Sequence, residues 1–165
     1  MRGLGIAAAV AALVGTIGAA AQGPSGVAGP SLPEALRRSA IETRSDRTGL
    51  IAGARIGATD LYVVYLRTER GCGSGGCRAQ IWKREGDRFV RGESLPAGHL
   101  PIMILPRIVN GTPVLGITVF DKGGGRPSVL PVAFDGKDFT QQLSVGLAAE
   151  TVGDPLITSG LLQRF

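Results

Sequence analysis

Residues 61–82 read LYVVYLRTERGCGSGGCRAQIW, and the fold can be worked out from this stretch. Its first six residues are β-branched, aromatic or aliphatic, which is typical of a buried β-strand. The closing AQIW run has a similar character. Between them lies a glycine-rich segment that contains both cysteines of the chain, Cys72 and Cys77. The pattern predicts two strands joined by a hairpin that the cysteines close.

Two cysteines with four residues between them suit a metal half-site, a redox pair or a structural disulfide. A structural zinc site needs four ligands, and His99 is the only histidine. A redox pair usually has two intervening residues and a helix N-terminus beside it, whereas this segment is nearly all glycine. We therefore predict a structural disulfide between Cys72 and Cys77, with glycines supplying the positive φ angles of a small ring. We predict no metal site.

The N-terminus has the three parts of a secretory signal peptide. Arg2 gives a positive start, Leu4 to Ile17 is an uncharged apolar run, and small residues end at Ala21. We expect cleavage after Ala21 and a periplasmic or secreted protein, in a compartment where disulfides persist. The alternative is a retained membrane anchor, but the apolar run is shorter than the about 20 residues of a span. After cleavage we expect no transmembrane span.

The chain after the signal divides into a leader and one domain. Residues 22–30 are rich in glycine, proline and alanine, which predicts a flexible leader. Residues 31–165 form the single β-rich domain. Its helix begins at Ser31 as N-cap, with Pro33 in the first turn, and runs to about Thr43.

From Leu50 the apolar period changes to that of strands. Gly53 suggests a bulge in the first strand, residues 95–100 suggest a connection, and the tail from Ala148 suggests irregular structure at a sheet edge. The predicted strands are 50–56, 61–67, 78–84, 88–93, 101–109, 114–120, 129–134 and 138–143.

These elements predict an all-β domain. We expect an antiparallel sandwich or a strongly curved sheet of about seven to eight strands, with one short N-terminal helix. A shift of 50 residues places Gly86 on Gly136, and similar patterns surround both. The alignment predicts a two-fold internal repeat of residues 50–99 and 100–149.

The usual catalytic motifs are missing from the sequence. His99 is the only histidine base and lies in a Pro/Gly-rich segment, and Ser74 lacks a Gly-x-Ser-x-Gly frame because Cys72 takes the first glycine position. Neither glycine loop is followed by Gly-Lys-Ser/Thr, so no nucleotide cofactor is expected. Asp135 and Asp138 fit turns. These observations favour a protein that is not an enzyme, although carboxylates from distant strands leave a hydrolase open.

The charge is mildly positive. The formal net charge is +5, and loss of Arg2 with the signal peptide lowers it to +4. This balance suits an envelope protein or an anionic cell-wall polymer as partner. No dense Lys/Arg run is interleaved with aromatic residues, so we expect no nucleic acid partner.

The chain resembles a group of exported bacterial proteins of unknown function. The similar parts are Tyr62–Leu66, the Cys-Gly-Ser-Gly-Gly-Cys hairpin at Cys72–Cys77, and Phe134-Asp135-Gly136-Lys137. The group shares a strand that ends in such a hairpin and often has a later Phe-Asp-Gly-Lys/Arg segment. The resemblance covers roughly residues 61–139 and implies location and architecture, but no activity.

Together these features favour a non-catalytic exported envelope protein, a small binding module with a structural disulfide. The rigid hairpin tip is the expected contact, with Arg70, Ser74 and Arg78 as the binding residues. One alternative is a periplasmic thiol–disulfide or hydrolytic enzyme. Another is a structural subunit that docks a sheet edge or apolar face on a larger envelope assembly.

Overall fold

The computed structural model describes residues 32–120, 125–141 and 153–165. The predicted signal peptide (1–21) and leader (22–30) lie outside these ranges. The described elements are one α-helix, ten strands and one 3-10 turn. In chain order they are α1 Glu34–Glu42, β1 Leu50–Arg55, β2 Leu61–Arg67, β3 Cys72–Gly73, β4 Gly76–Glu85, β5 Arg88–Val109, β6 Thr112–Phe120, β7 Pro127–Phe134, β8 Phe139–Gln141, β9 Asp154–Ile157, the 3-10 turn Ser159–Leu161 and β10 Gln163–Arg164.

The strands form one open antiparallel sheet in the order β10-β1-β2-β4-β5-β6-β7-β8, with β3 beside β4 and β9 beside β5. The 22-residue β5 belongs to both halves of the sheet. It pairs with β4 as far as Gly98 and with β6 from His99 onwards. Side chains from both halves share one core, so the sheet bends at β5 and folds back onto itself. The all-β prediction is confirmed, in its strongly curved form.

The predicted connection at residues 95–100 is wrong, because these residues are the middle of β5. The ladders beside β5 shift register where Pro96, Pro101 and Pro106 occur. A proline cannot donate a ladder hydrogen bond, so a strand accepts it at such irregularities. Leu95 is buried in the core, which keeps this part of the chain within the sheet. The prolines therefore mark bulges in one long strand.

The core lies between the two halves of the bent sheet. Alternate residues of β2, such as Val63, face this core, as does Ile81 of β4. They pack against Leu95, Ile102 and Leu115 of the long β5 and of β6, and all five are at most 5% exposed. Burial of such side chains is the main stabilising contribution to a fold of this size.

The opposite face of β1, β2 and β4 is covered by α1. Leu36 and Ala40 of the helix are fully buried and pack in one cluster with Val64 and Trp82. This explains why β2 is apolar on both faces, as the sequence predicted for a central strand. The short helix is stable because it packs on this surface.

Two sequence predictions concern the residues next to α1. Ser31, the predicted N-cap, lies outside the described residues, and Pro33 directly precedes α1 without a side-chain cap hydrogen bond. The predicted bulge at Gly53 is wrong, because Gly53 pairs in regular register with Val64. A Cβ at Gly53 would overlap the Leu32 side chain, so the glycine makes room for this contact.

The prediction of an irregular tail is wrong for residues 153–165. β9 pairs with β5, where Ile157 lies opposite Ile102, and β10 pairs with β1, where Arg164 lies opposite Leu50. The tail does lie at a sheet edge, since β10 is the first strand in the sheet order. Both strands are short and carry little apolar alternation, which is why the sequence pattern did not show them.

The predicted internal repeat remains a prediction. Gly86 and Gly136, 50 residues apart, both have positive φ angles, of 62° and 111°, and each lies in a turn between antiparallel strands.

Candidate functional site

The predicted disulfide is present. Cys72 and Cys77 are directly opposite each other in the β3–β4 ladder, with their Cα atoms 4.2 Å apart and an S–S bond of 2.04 Å. Gly73 pairs with Gly76, so Ser74 and Gly75 form the turn. We call residues 72–77 the disulfide hairpin.

Among the three glycines of the hairpin, Gly76 is the one whose backbone conformation and surroundings require glycine. Its φ angle is +92°, and a Cβ on it would overlap the carbonyl group of Gly98 in β5. Gly73 and Gly75 have open space around the Cβ position and do not have left-handed φ angles. The predicted reason for the glycines therefore holds at Gly76, where the hairpin rests against the sheet.

A chain of hydrogen bonds fixes the base of the hairpin from the other side. The Gly71 N–H donates to Thr68 Oγ1 at 3.0 Å, and Thr68 Oγ1 donates to Asp46 Oδ2 at 2.8 Å. The guanidinium of Arg44 lies 3.8 Å from the same carboxylate. The hairpin base is thus tied to the loop that follows α1.

Beside the hairpin lies a depression of about 410 Å³, which we call the hollow. The disulfide forms one wall, and its side chains include Tyr65, Arg67, His99 and Phe120. The rings of His99 and Phe120 meet edge to face at 4.8 Å, and Phe120 is 46% exposed. No carboxylate from the described residues lines the hollow.

Tyr65 forms part of the buried side of the hollow. Its hydroxyl donates to the Gly98 carbonyl oxygen at 3.3 Å. Burial raises the pKa of Tyr65, and a hydrogen bond with the Cys77 backbone and the charge of Arg67 partly oppose this rise. The phenol therefore stays protonated and acts as a hydrogen-bond donor.

The three residues predicted for binding are all exposed. Ser74 lies at the tip, Arg70 precedes the hairpin, and Arg78 follows it in β4. The described residues place no carboxylate within 4.0 Å of either arginine. Sequence reasoning missed Arg67 and Phe120, and it treated His99 as a loop residue although it lies in β5. Only the sheet pairing brings these three beside the hairpin.

A second cavity, the charged cleft, lies at the other end of β4 and has a volume of about 440 Å³. It opens between the β4–β5 hairpin and the turn that joins β7 to β8. Its apolar wall is formed by Leu61, Ile81, Val90, Phe134 and Phe139, and its charged lining by Asp60, Lys83, Glu85, Arg91, Glu93, Lys137 and Asp138.

Glu93 links the two halves of the sheet across this cleft, because its Oε1 accepts a hydrogen bond from the Phe139 N–H. Partial burial raises the pKa of Glu93, and the nearby carboxylates Asp138 and Asp135 raise it further. Asp135 has the turn role predicted for it: its Oδ1 accepts from the N–H groups of Lys137 and Asp138 at 2.9 and 2.8 Å. These hydrogen bonds lower the pKa of Asp135.

The described residues lack a metal-binding cluster and a helix that could span a membrane. No group of three or more His, Cys, Asp or Glu side chains there is placed to hold a metal ion. None of the helical structure in those ranges is long and apolar enough to cross a membrane.

Comparison of the chain with protein-family models, curated proteins and solved structures found no match. The resemblance to exported proteins with a Cys-Gly-Ser-Gly-Gly-Cys hairpin therefore stays a prediction.

Proposed function

We propose that this protein is a non-catalytic, exported binding module of the bacterial envelope. In this proposal it contacts a partner protein with the disulfide hairpin and the adjoining hollow. The main support for this proposal is that the hairpin has a fixed base and an exposed tip. A disulfide, the Gly76–Gly98 contact and the Thr68 hydrogen bonds hold its base, while Ser74 at the tip is exposed.

Rigidity at an exposed tip supports binding on energetic grounds. Association normally costs free energy because loops and side chains lose conformational freedom in the complex. A hairpin that is already held in one conformation avoids much of this cost. Gly73 and Gly75 leave open space on both sides of Ser74, so a partner's surface can approach the backbone closely.

The hollow supports a particular kind of partner surface. Phe120 offers exposed aromatic area beside the exposed Arg67, and aromatic and arginine side chains dominate binding energy at protein interfaces. Arg67 lines the hollow, and no carboxylate from the described part of the chain does, so this surface favours an apolar side chain flanked by acidic groups. Arg70 and Arg78 do not line the hollow but adjoin the hairpin in the sequence. An anionic cell-wall polymer would match the positive charge as well, and the identity of the crosslinked partner distinguishes the two.

Site-specific crosslinking in the exporting bacterium would test this proposal. Ser74 is replaced by p-benzoylphenylalanine, and the matched control carries it at Asp87, an exposed turn residue at the other end of β4. We expect a discrete protein adduct from position 74 that position 87 does not form. Equal adducts at both positions, or none, would contradict the proposal. A lysozyme-sensitive adduct would identify a wall polymer and overturn the choice of a protein partner.

The arginines give a second test in the same experiment. The Arg70→Ala, Arg78→Ala double variant should lower the yield of the position-74 adduct roughly fivefold, as expected for two exposed charges at an interface rim. The control pair Arg84→Ala, Arg88→Ala removes the same charge at the far end of β4 and should leave the yield unchanged. Equal adduct yields from both double variants would mean that Arg70 and Arg78 do not contribute to binding.

The thiol–disulfide alternative is distinguished by the reduction potential of the cysteine pair. Cys77 is 5% exposed, which limits access of another thiol to its sulfur. We expect a potential below about −300 mV, as for structural disulfides. A clearly higher potential together with thiol–disulfide exchange activity would make redox chemistry the leading function.

One structural observation supports the hydrolytic alternative: the carboxylates of Glu93 and Asp138 line the same cleft. Burial raises the pKa of Glu93, as in a general acid. A hydrolase would release soluble sugar from envelope glycans with the native chain and not with Glu93→Gln. If neither protein releases sugar, the hydrolase hypothesis is excluded for those glycans.

The structural-subunit alternative would need a broad apolar surface. In the described ranges, the exposed large apolar side chains are Val90, Ile108 and Phe120. Val90 lines the charged cleft, Phe120 lines the hollow, and Ile108 lines neither. This scattered distribution does not favour docking through an apolar face.

A further inference from the structure

We propose that the charged cleft is a second binding site and that it takes a small organic cation, an ammonium group carried on an apolar chain. The proposal is independent of the hairpin, because the cleft lies at the opposite end of β4. It rests on Glu93, a partly buried carboxylate that lies beside an apolar wall. Among the described residues, no basic side chain forms an ion pair with Glu93.

The cavity has a suitable size and lining for a small molecule. Its volume of about 440 Å³ falls within the range of known small-molecule sites, which are lined mainly by apolar side chains with a few polar groups. Val90 is 46% exposed in this cleft, and Phe139 lies beside the acid. An apolar chain placed against these residues would lose its contact with water, and that loss favours binding.

Glu93 differs from the other acids of the cleft in its ion pairing. Each of the others has a cation within 4 Å, whereas Glu93 has none from the described chain. The pairs are Lys83–Glu85 at 3.1 Å, Arg55–Asp60 at 3.7 Å and Lys137–Asp138 at 4.0 Å. Lys83 and Lys137 are each nearer to one of these carboxylates than to Glu93. Arg91 also lines the cleft, but no carboxylate of the described residues, Glu93 included, lies within 4.0 Å of its guanidinium.

One oxygen of Glu93 is available to a ligand. Oε1 accepts from the Phe139 N–H, and no donor in the described ranges reaches Oε2. Burial and the carboxylates Asp138 and Asp135 raise the pKa of Glu93, in agreement with the lack of a cation within 4.0 Å among the described residues. A ligand ammonium would supply both a charge-assisted hydrogen bond to Oε2 and the missing positive charge. A carboxylate ligand would add to the repulsion instead.

Three probes with the same chain test the charge preference. Hexylammonium, hexanol and hexanoate are titrated into the isotopically labelled protein at pH 7.5 in an amine-free buffer, and the amide signals of Val90 and Phe139 are followed by NMR. We expect hexylammonium to shift both signals saturably with a Kd in the millimolar range, as for a ligand of this size. Binding of hexanol and hexanoate should be at least about tenfold weaker.

Glu93→Gln identifies the responsible carboxylate. Glutamine can still accept the Phe139 hydrogen bond, so the fold is expected to persist, and the melting temperature checks this. The variant should lose the about tenfold preference for hexylammonium over hexanol. Glu69→Gln removes the same charge at an exposed position before the hairpin and should keep the preference. Equal binding of all three probes, no saturable shift, or a preference that survives Glu93→Gln would each overturn the proposal.

Discussion

The two ends of β4 join their surroundings by different kinds of contact. At one end, a covalent bond connects Cys77 to Cys72, and Gly76 lies against the backbone of Gly98. At the other end the contacts are polar: Lys83 pairs with Glu85, and across the cleft Phe139 donates to Glu93. The contacts at the disulfide end are covalent and steric and do not involve charged groups. The cleft end depends on protonation and salt.

The charges of the two ends differ as well. In the part of the chain that the structure describes, the hollow has Arg67 and no carboxylate, whereas the charged cleft has four acids and three bases. One ladder of backbone hydrogen bonds therefore connects a hollow lined by an arginine with a cleft in which the acids outnumber the bases.

The largest effect is expected from Gly76→Ala. The substitution would place a Cβ on the Gly98 carbonyl group and would force alanine to adopt a φ angle of +92°. Strain of this kind, together with the displaced backbone, should lower the free energy of unfolding by about 3 kcal/mol. Chemical denaturation followed by the fluorescence of Trp82 would measure it.

The neighbouring glycine is the matched control. Gly75→Ala adds the same methyl group where the chain leaves open space and where φ is not in the left-handed region. Its effect should stay within about 0.5 kcal/mol. Similar losses in both variants would mean that the Gly76–Gly98 contact does not hold the hairpin, and the contrast between the two ends of β4 would weaken.

Removal of the disulfide should have the next largest effect. By the chain-entropy model, the small ring closed by Cys72 and Cys77 contributes about 2 kcal/mol, so the Cys72→Ser, Cys77→Ser variant should melt roughly 5 °C lower. Hydrogen exchange should increase at residues 71–77 and remain unchanged at Lys83 and Glu85. Faster exchange at both ends would show that the disulfide supports the whole strand and not its own end.

The sequence predicted much of this fold because its signals are local. Alternating or continuous apolar runs placed β2, β6 and β7 nearly where they occur, and the cysteine spacing in a glycine loop predicted the Cys72–Cys77 bond. The predictions were wrong where contacts between distant parts of the chain determine the local structure. Pro96 and Gly98 suggested a connection, but buried Leu95 and the paired neighbours keep those residues in β5.

The sites were less predictable than the fold. Arg70, Ser74 and Arg78 could be named because they adjoin the hairpin in the sequence. Phe120 and Glu93 could not, because their partners His99 and Phe139 are distant in the sequence and come beside them only in the folded sheet. A raised pKa at Glu93 likewise requires the turn that brings Asp135 and Asp138 beside it. Burial and charge at such positions arise only after the sheet has folded.

The smallest expected effect concerns the pH dependence of the cleft end. Because the pKa of Glu93 is raised above its usual 4.5, ionised Glu93 costs the folded state free energy at neutral pH. This cost disappears as the pH falls through the folded-state pKa towards 4.5. Glu93→Gln has no such charge, so it should be more stable than the native chain at pH 7 to 8, by less than about 1 kcal/mol for a partly exposed group.

The advantage of Glu93→Gln should shrink steadily as the pH is lowered to 4.5, in denaturation curves measured at half-unit steps. The comparison with Glu69→Gln corrects for the loss of one negative charge on a chain whose formal net charge is +5. An advantage that stays constant with pH would mean that the charge of Glu93 is compensated, and the two ends of β4 would then differ only in the disulfide. An advantage that shrinks only for Glu93→Gln would locate the pH dependence of stability in the charged cleft.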